Sequence, residues 1–110
     1  MPKSHVYSKT TRQAAGLIGR LIKLARKQRG WPETELANRA GIARSTIQRI
    51  EQGDLSVSLG LVFEAANLVG IKLFDAGQDD LRRNLQETDE RLMLLPKHTH
   101  PRKRTIKDDF

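Results

Sequence analysis

Residues Glu33 to Gly53 read ETELANRAGIARSTIQRIEQG and predict two short helices joined by a tight turn at Gly41. Gly41 permits the positive φ that so short a turn requires. The residues expected to bury the inner faces of the two helices are Leu36, Ala37, Ala40, Ile47 and Ile50. Two helices in this order predict a helix-turn-helix, in which the second helix is presented to a partner.

The outward side of the second helix is polar, because Ile47 and Ile50 occupy the opposite side. The DNA major groove admits one helix of this kind. Arginine pairs with guanine O6 and N7 and glutamine with adenine N6 and N7, each pair giving about 1 to 3 kcal/mol of discrimination. The predicted base contacts are Arg44, Ser45, Gln48 and Arg49. Either arginine could instead hold a phosphate, since half or more of protein–DNA hydrogen bonds go to the backbone.

Further polar residues around this helix are candidates for holding the DNA backbone. The predicted phosphate contacts are Arg20, Lys23, Thr34, Asn38, Arg39 and Thr46. Arg26 and Glu51 are predicted instead to form a structural ion pair that ties the first helix to the recognition helix. We expect this pair to be internal, although an exposed pair would add little stability.

The positive net charge favours a polyanionic partner. In a small protein such a charge can also serve solubility alone. The chain has 20 Lys and Arg against 13 Asp and Glu, a formal charge of +7, and residues 1–30 contain no acid. The chain has no cysteine, which excludes disulfides, thiol catalysis and cysteine-based zinc sites. His98 and His100 lack a third ligand and make a poor metal site. The sequence therefore predicts neither an enzyme nor a bound metal or cofactor.

The chain divides into four segments, and we expect one all-α bundle of four to five helices. The predicted segments are a mobile arm at 1–11, the helix-turn-helix domain at 12–77, a C-terminal helix at 78–95 and a basic disordered tail at 96–110. In the first helix, the apolar stripe expected to face the core is Ile18, Leu21, Ile22 and Ala25. No apolar run approaches the roughly 20 residues of a membrane span, and no secretory signal is apparent, so we expect a cytoplasmic protein without membrane contact.

Residues 71–74, Ile-Lys-Leu-Phe, are short and β-prone. A strand there would need a partner, and a second copy of the chain is the candidate. Ile71, Leu73 and Phe74 are therefore the predicted dimer interface. Leucines at near-heptad spacing in segment 78–95 offer a second candidate, so the element that forms the dimer stays open.

The segment 33–53 resembles the Xre-type helix-turn-helix family, which includes phage repressors and bacterial antitoxins. The resemblance lies in Leu36-Ala37, Gly41-Ile42, Ile47, Ile50 and Glu51-x-Gly53. It implies a lambda-repressor-like dimeric domain of four or five helices that binds a palindromic double-stranded operator. It also implies that the pairing of Arg26 with Glu51 is the ion pair frequent in this family.

Residues 71–76 further resemble the HipB antitoxins. The segments 94–97 and 108–110 are similar to small Xre proteins found beside HipA-like serine/threonine kinase toxins. These resemblances imply an antitoxin of a toxin–antitoxin system that binds a HipA-type kinase and represses its own operon. The alternatives are a stand-alone Xre-family transcriptional repressor and a protein-interaction module that has lost DNA binding.

Two positions depart from the family pattern. Pro32 and Glu33 stand where members often have Ser or Thr followed by Gln, whose amide meets a phosphate. Ala43 replaces the usual N-cap Ser of the recognition helix, a change that costs about 0.5 to 2 kcal/mol. We therefore expect either weaker DNA binding than is typical or a helix shifted away from the DNA backbone.

Overall fold

The computed structural model describes residues 5–75 and 78–97, which fall into two units, 1–76 and 77–110. The first unit contains α1 (Lys9–Gln28), α2 (Glu33–Ala40), α3 (Arg44–Glu51) and α4 (Leu59–Leu68), followed by a 3-10 turn at Leu73–Asp75. The second unit contains α5 (Gln78–Met93). Strands are absent from these described residues. The all-α prediction is confirmed.

All four helices of the first unit contribute to one apolar core. Its buried residues are Ile22, Leu36, Ala37, Ile47, Ile50, Ala65, Ala66 and Val69. In α1 the predicted core stripe is only partly correct, because Ile22 is buried while Leu21 keeps 39% of its surface exposed. Leu17 and Leu24 are exposed as well, so α1 carries a second apolar stripe on its outer side.

The closest approach in the core is between α1 and the end of α3. A Cβ added to Gly19 would lie 2.4 Å from the carbonyl oxygen of Ile50 and 2.8 Å from that of Glu51. Those neighbours are backbone atoms, which cannot move aside as a flexible side chain can. Glycine at this position is therefore what lets α3 pack directly on α1.

The helix boundaries follow local chemistry. α1 begins at Lys9, inside the predicted arm 1–11, because the Ser8 side chain accepts a hydrogen bond from the Thr11 amide at 3.2 Å. α2 ends as predicted at Gly41, whose φ is 71°. Ala43 is the N-cap of α3 and offers no side-chain hydrogen bond. The missing cap noted in the sequence is therefore a feature of the fold.

The predicted strand at 71–74 is not formed. Leu73–Asp75 instead make a single 3-10 turn, in which Phe74 has a φ of 57°. A strand needs a hydrogen-bonded neighbour, and the described residues of this one chain supply none. The predicted tail 96–110, including His98 and His100, lies outside the described residues from 98 onward.

No helix among the described residues is long and apolar enough to cross a membrane.

Candidate nucleic-acid interface

The recognition helix α3 has one buried and one polar side. Ile47 is fully buried and Ile50 is 2% exposed, as the sequence predicts. On the opposite side Arg44, Ser45 and Arg49 are exposed, while Gln48 is half-buried. A helix with its side chains is about 10 to 12 Å across, which suits the width of a major groove of about 12 Å.

The polar side of α3 consists of two rows of side chains spaced four residues apart. The first row, Arg44 and Gln48, meets the start of α2. Arg44 Nε donates to Glu33 Oε1 at 3.1 Å, and Gln48 Nε2 donates to the same oxygen at 3.0 Å. One oxygen of the Glu33 carboxylate therefore accepts hydrogen bonds from both side chains of this row, which the sequence predicts to contact bases.

The Glu33 carboxylate is stabilised in its charged form. Burial raises its pKa, but the hydrogen bonds from Gln48 and Arg44 and the charges of Arg44 and Arg26 outweigh burial and lower the pKa overall. Its second oxygen lies 4.0 Å from Arg26 Nη2. Glu33 is therefore an ionised acceptor at neutral pH, placed between the core and the recognition helix.

The second row, Ser45 and Arg49, meets the loop after α3. Arg49 Nε donates to Asp54 Oδ2 at 2.9 Å, and Arg49 Nη2 donates to Ser56 Oγ at 2.6 Å. The Arg49 hydrogen bond is the main reason that the pKa of Asp54 is lowered, and hydrogen bonds from Ser56 lower it further. Arg49 is thus occupied by the loop, whereas Ser45 is exposed at the centre of the polar side.

Behind α3 lies the predicted internal ion pair between Arg26 and Glu51, which is buried. Arg26 Nε and Nη2 donate to the two Glu51 carboxylate oxygens at 2.6 and 2.9 Å, and the side chains are only 6% and 4% exposed. Arg26 Nη1 also donates to the Trp31 carbonyl at 2.9 Å. The hydrogen bond to Glu51 raises the Arg26 pKa against the effect of burial. The pair is hidden because α1 and α3 pack closely through Gly19.

The predicted phosphate contacts lie on α1, α2 and α3. Arg20 and Lys23 on α1, and Thr34, Asn38 and Arg39 on α2, are exposed, while Thr46 is half-buried. Arg39 already has two partners: its Nε lies 2.7 Å from Glu35 Oε2, and its guanidinium carbon lies 4.2 Å from the centre of the Trp31 ring. Lys23 lines a small polar hollow that Glu33 and Gln48 also line.

The predicted dimer residues differ in their exposure. Ile71 and Leu73 are half-buried and pack against the core of their own chain. Phe74 is 77% exposed, and its ring lies edge-on to that of Phe63 with centroids 6.2 Å apart. Among the three residues, Phe74 is therefore the one that presents most of its apolar surface outward.

Sequence reasoning missed three residues that organise the polar side of α3, because Glu33, Asp54 and Ser56 are not among the predicted contacts. Their hydrogen bonds with α3 join residues between 5 and 15 positions apart that no helical periodicity links. The available signal was the presence of acids close to bases at both ends of α3. The contacts of Glu33 depend on the turn at Gly41 between α2 and α3, whereas those of Asp54 and Ser56 depend on the loop after α3. Within residues 5–75 and 78–97 no three His, Asp or Glu side chains gather into a candidate metal site.

The comparisons with known proteins agree with this geometry. Residues 22–75 match the family model HTH_3, Helix-turn-helix. A solved complex of a HipB variant with an "O2 20mer" is similar to this chain at 25% identity and a TM-score of 0.50, over 70% of this chain and 99% of its own.

Two further solved structures are similar at 25% identity and a TM-score of 0.49, over 69% of this chain and 99% of theirs. One is described as "MDT Protein" and the other as a HipA-HipB-O2-O3 complex. None of the curated proteins matches the sequence.

Proposed function

We propose that this chain, whose residues 22–75 match the helix-turn-helix family model HTH_3, is a sequence-specific DNA-binding repressor that acts as a HipB-like antitoxin. In this role a homodimer occupies a palindromic operator of its own operon in the cytoplasm. The same dimer binds a HipA-type serine/threonine kinase toxin. The HipB variant bound to a 20mer, which is similar over 70% of this chain, supports the choice of this branch of the family.

The observation that carries the proposal is the polarity of α3. Ile47 and Ile50 hold it from behind, and Arg44, Ser45 and Gln48 stand together on the other side. A helix with arginine and glutamine on one accessible side matches the donor and acceptor groups of base edges in the major groove. Around it, Arg20, Lys23, Thr34, Asn38, Arg39 and Thr46 are our candidates for phosphate contacts.

A dimer accounts for the exposed Phe74. Its backbone has a positive φ, which is uncommon for a bulky residue, and its ring is 77% exposed. A second copy packing there would cover the ring. In a dimer of this class the two recognition helices would lie about 34 Å apart, one turn of DNA, and would read an inverted repeat.

The alternative is a stand-alone Xre-family repressor, which has the same DNA-binding surface but no toxin. Co-expression with the neighbouring reading frames, followed by purification of the 110-residue chain, separates the two. The antitoxin proposal expects a kinase to be retained in a stable complex at physiological salt. Absence of any kinase gene beside this one, or of a retained product, would leave the stand-alone repressor.

Replacing Arg44 and Lys23 separately by alanine tests base reading against phosphate holding. We expect Arg44→Ala to relax the preference at one base pair by about 1 to 3 kcal/mol. Lys23→Ala is expected to weaken all sequences alike and to reduce the slope of log K against log salt by about one unit. The measurement is fluorescence anisotropy on operator and random duplexes over a salt series. Equal losses on both duplexes for Arg44→Ala would remove Arg44 from the base contacts.

A further inference from the structure

We propose that Glu33 is a specificity-determining residue: by binding Gln48 Nε2 and Arg44 Nε with one carboxylate oxygen, it sets which groups these two side chains present to DNA. This inference rests on the proposed DNA-binding function and deepens it. Glu33 acts through its neighbours and is a positioning residue.

The Gln48 amide is oriented by its contact with Glu33. An ionised carboxylate accepts hydrogen bonds and cannot donate them, so the amide must turn its NH2 group toward Glu33. One N–H is used in that contact, and the amide oxygen and the second N–H are left for a partner. These two groups match N6 and N7 of adenine in the major groove. Glu33 therefore favours the Gln48 orientation that makes two hydrogen bonds with adenine.

Glu33 also orients the guanidinium of Arg44. The Nε of Arg44 is occupied by Glu33, and the Arg44 side chain is 59% exposed. The two terminal nitrogens remain available, and the rigid planar guanidinium presents them side by side. That arrangement suits the O6 and N7 acceptors of guanine. Holding one edge of the guanidinium also reduces the side-chain freedom that DNA binding would otherwise remove.

The negative charge of Glu33 is tolerated at a DNA-binding surface because arginines of the same chain neutralise it. Glu33 is only 25% exposed, and cationic Arg44 and Arg26 lie at 3.1 and 4.0 Å from its oxygens. Its charge is therefore directed at the protein's own arginines. Glu35, two residues later, provides the contrast, because it is 41% exposed and pairs only with Arg39 on the same helix.

The wild-type chain provides the first test. Binding sites selected from random duplex DNA give the preferred sequence, and Gln48→Ala identifies the base pair that Gln48 reads. At that position we expect adenine on the contacted strand, because it can bond both the amide oxygen and the remaining N–H. The other three bases should bind at least about tenfold more weakly, the lower part of the range for one specific contact.

The second test removes the acceptor. Glu33→Ala should reduce the preferences at the base pairs read by Arg44 and Gln48 by about tenfold each, and should admit guanine or thymine opposite Gln48. Glu33→Gln keeps an oxygen acceptor and should retain most of the Arg44 preference. Glu35→Ala is the matched control, because it removes one acid from the same helix and should leave every preference unchanged. Urea unfolding of each variant reports on its stability.

The possible results test the proposed function and the role of Glu33 separately. A wild-type chain with no preferred sequence would overturn the proposed function itself. A wild-type chain with a preferred sequence overturns only the role of Glu33 if the base pair read by Gln48 shows no preference for adenine. The same holds if folded Glu33→Ala keeps both preferences. Equal effects of Glu33→Ala and Glu35→Ala would mean that only charge matters, and would also contradict the inference.

Discussion

Glu51→Ala is expected to lower the free energy of unfolding by about 3 to 5 kcal/mol, because it leaves the Arg26 guanidinium charged and buried without its carboxylate. Arg26 is 6% exposed, and without Glu51 it keeps the hydrogen bond to the Trp31 carbonyl and a Glu33 carboxylate oxygen 4.0 Å away. Small domains have only about 5 to 15 kcal/mol of stability, so this one change removes a large part of it. Urea denaturation followed by circular dichroism measures the loss.

Glu35→Ala is the control for this experiment. It also deletes the acid of an Arg–Glu pair, but that pair is 48% and 41% exposed, and its loss should cost only about 0.3 to 0.5 kcal/mol. Replacing Arg26 by Met and Glu51 by Leu together should recover most of the lost stability, since no unpaired charge remains. A Glu51→Ala variant as stable as Glu35→Ala would show that the buried pair does not hold α3 to α1.

Ile47→Ala is the other change with a large expected effect, about 2 to 5 kcal/mol of destabilisation. Ile47 is fully buried, so truncation loses its transfer free energy and leaves a cavity under the recognition helix. The midpoint of urea unfolding should fall while its slope stays unchanged. The loss of stability arises at α3, the helix that we propose to lie in the DNA major groove.

The control for Ile47→Ala is Leu17→Ala in the middle of α1. Leu17 is 60% exposed, so its truncation should change stability by no more than about 0.5 kcal/mol. If the two variants unfolded at the same urea concentration, the side of α3 that carries Ile47 would not be the buried one. The assignment of the outward residues would then be wrong as well.

Features that depend on local chemistry were predictable from the sequence. Apolar spacing identifies Ile47, Ile50 and Leu36 as core, and all three are buried. Gly41 has the left-handed backbone expected of the turn. The polar side of α3 follows directly, because two fixed isoleucines determine which residues of an eight-residue helix point away from them.

Features that depend on how helices meet were not predictable in the same way. Arg26 and Glu51 were paired correctly, but their burial follows from the close contact at Gly19, which no periodicity shows. The start of α1 at Lys9 was missed because its first turn is capped by Ser8 and carries no apolar stripe. The β-prone segment 71–74 forms a turn because Ile71 and Leu73 pack on their own core.

Glu33 has a different role in the structure from the one that its position in the sequence predicts. In the sequence it is an acid where the family often has an amide, which predicts weaker binding to DNA. In the fold its oxygens face Arg26, Arg44 and Gln48, so the charge is neutralised locally. The expectation of a weakened DNA contact therefore becomes a proposal about which bases are read.

The most direct measurement of the central proposal is selection of binding sites from random duplex DNA by the 110-residue chain, followed by footprinting of the selected sequence. The account predicts an inverted repeat whose half-sites are centred about one helical turn apart, roughly 34 Å, with guanine at the position lost in Arg44→Ala. Recovery of no common sequence, or protection that is unchanged when Arg44, Ser45 and Gln48 are all replaced by alanine, would contradict it.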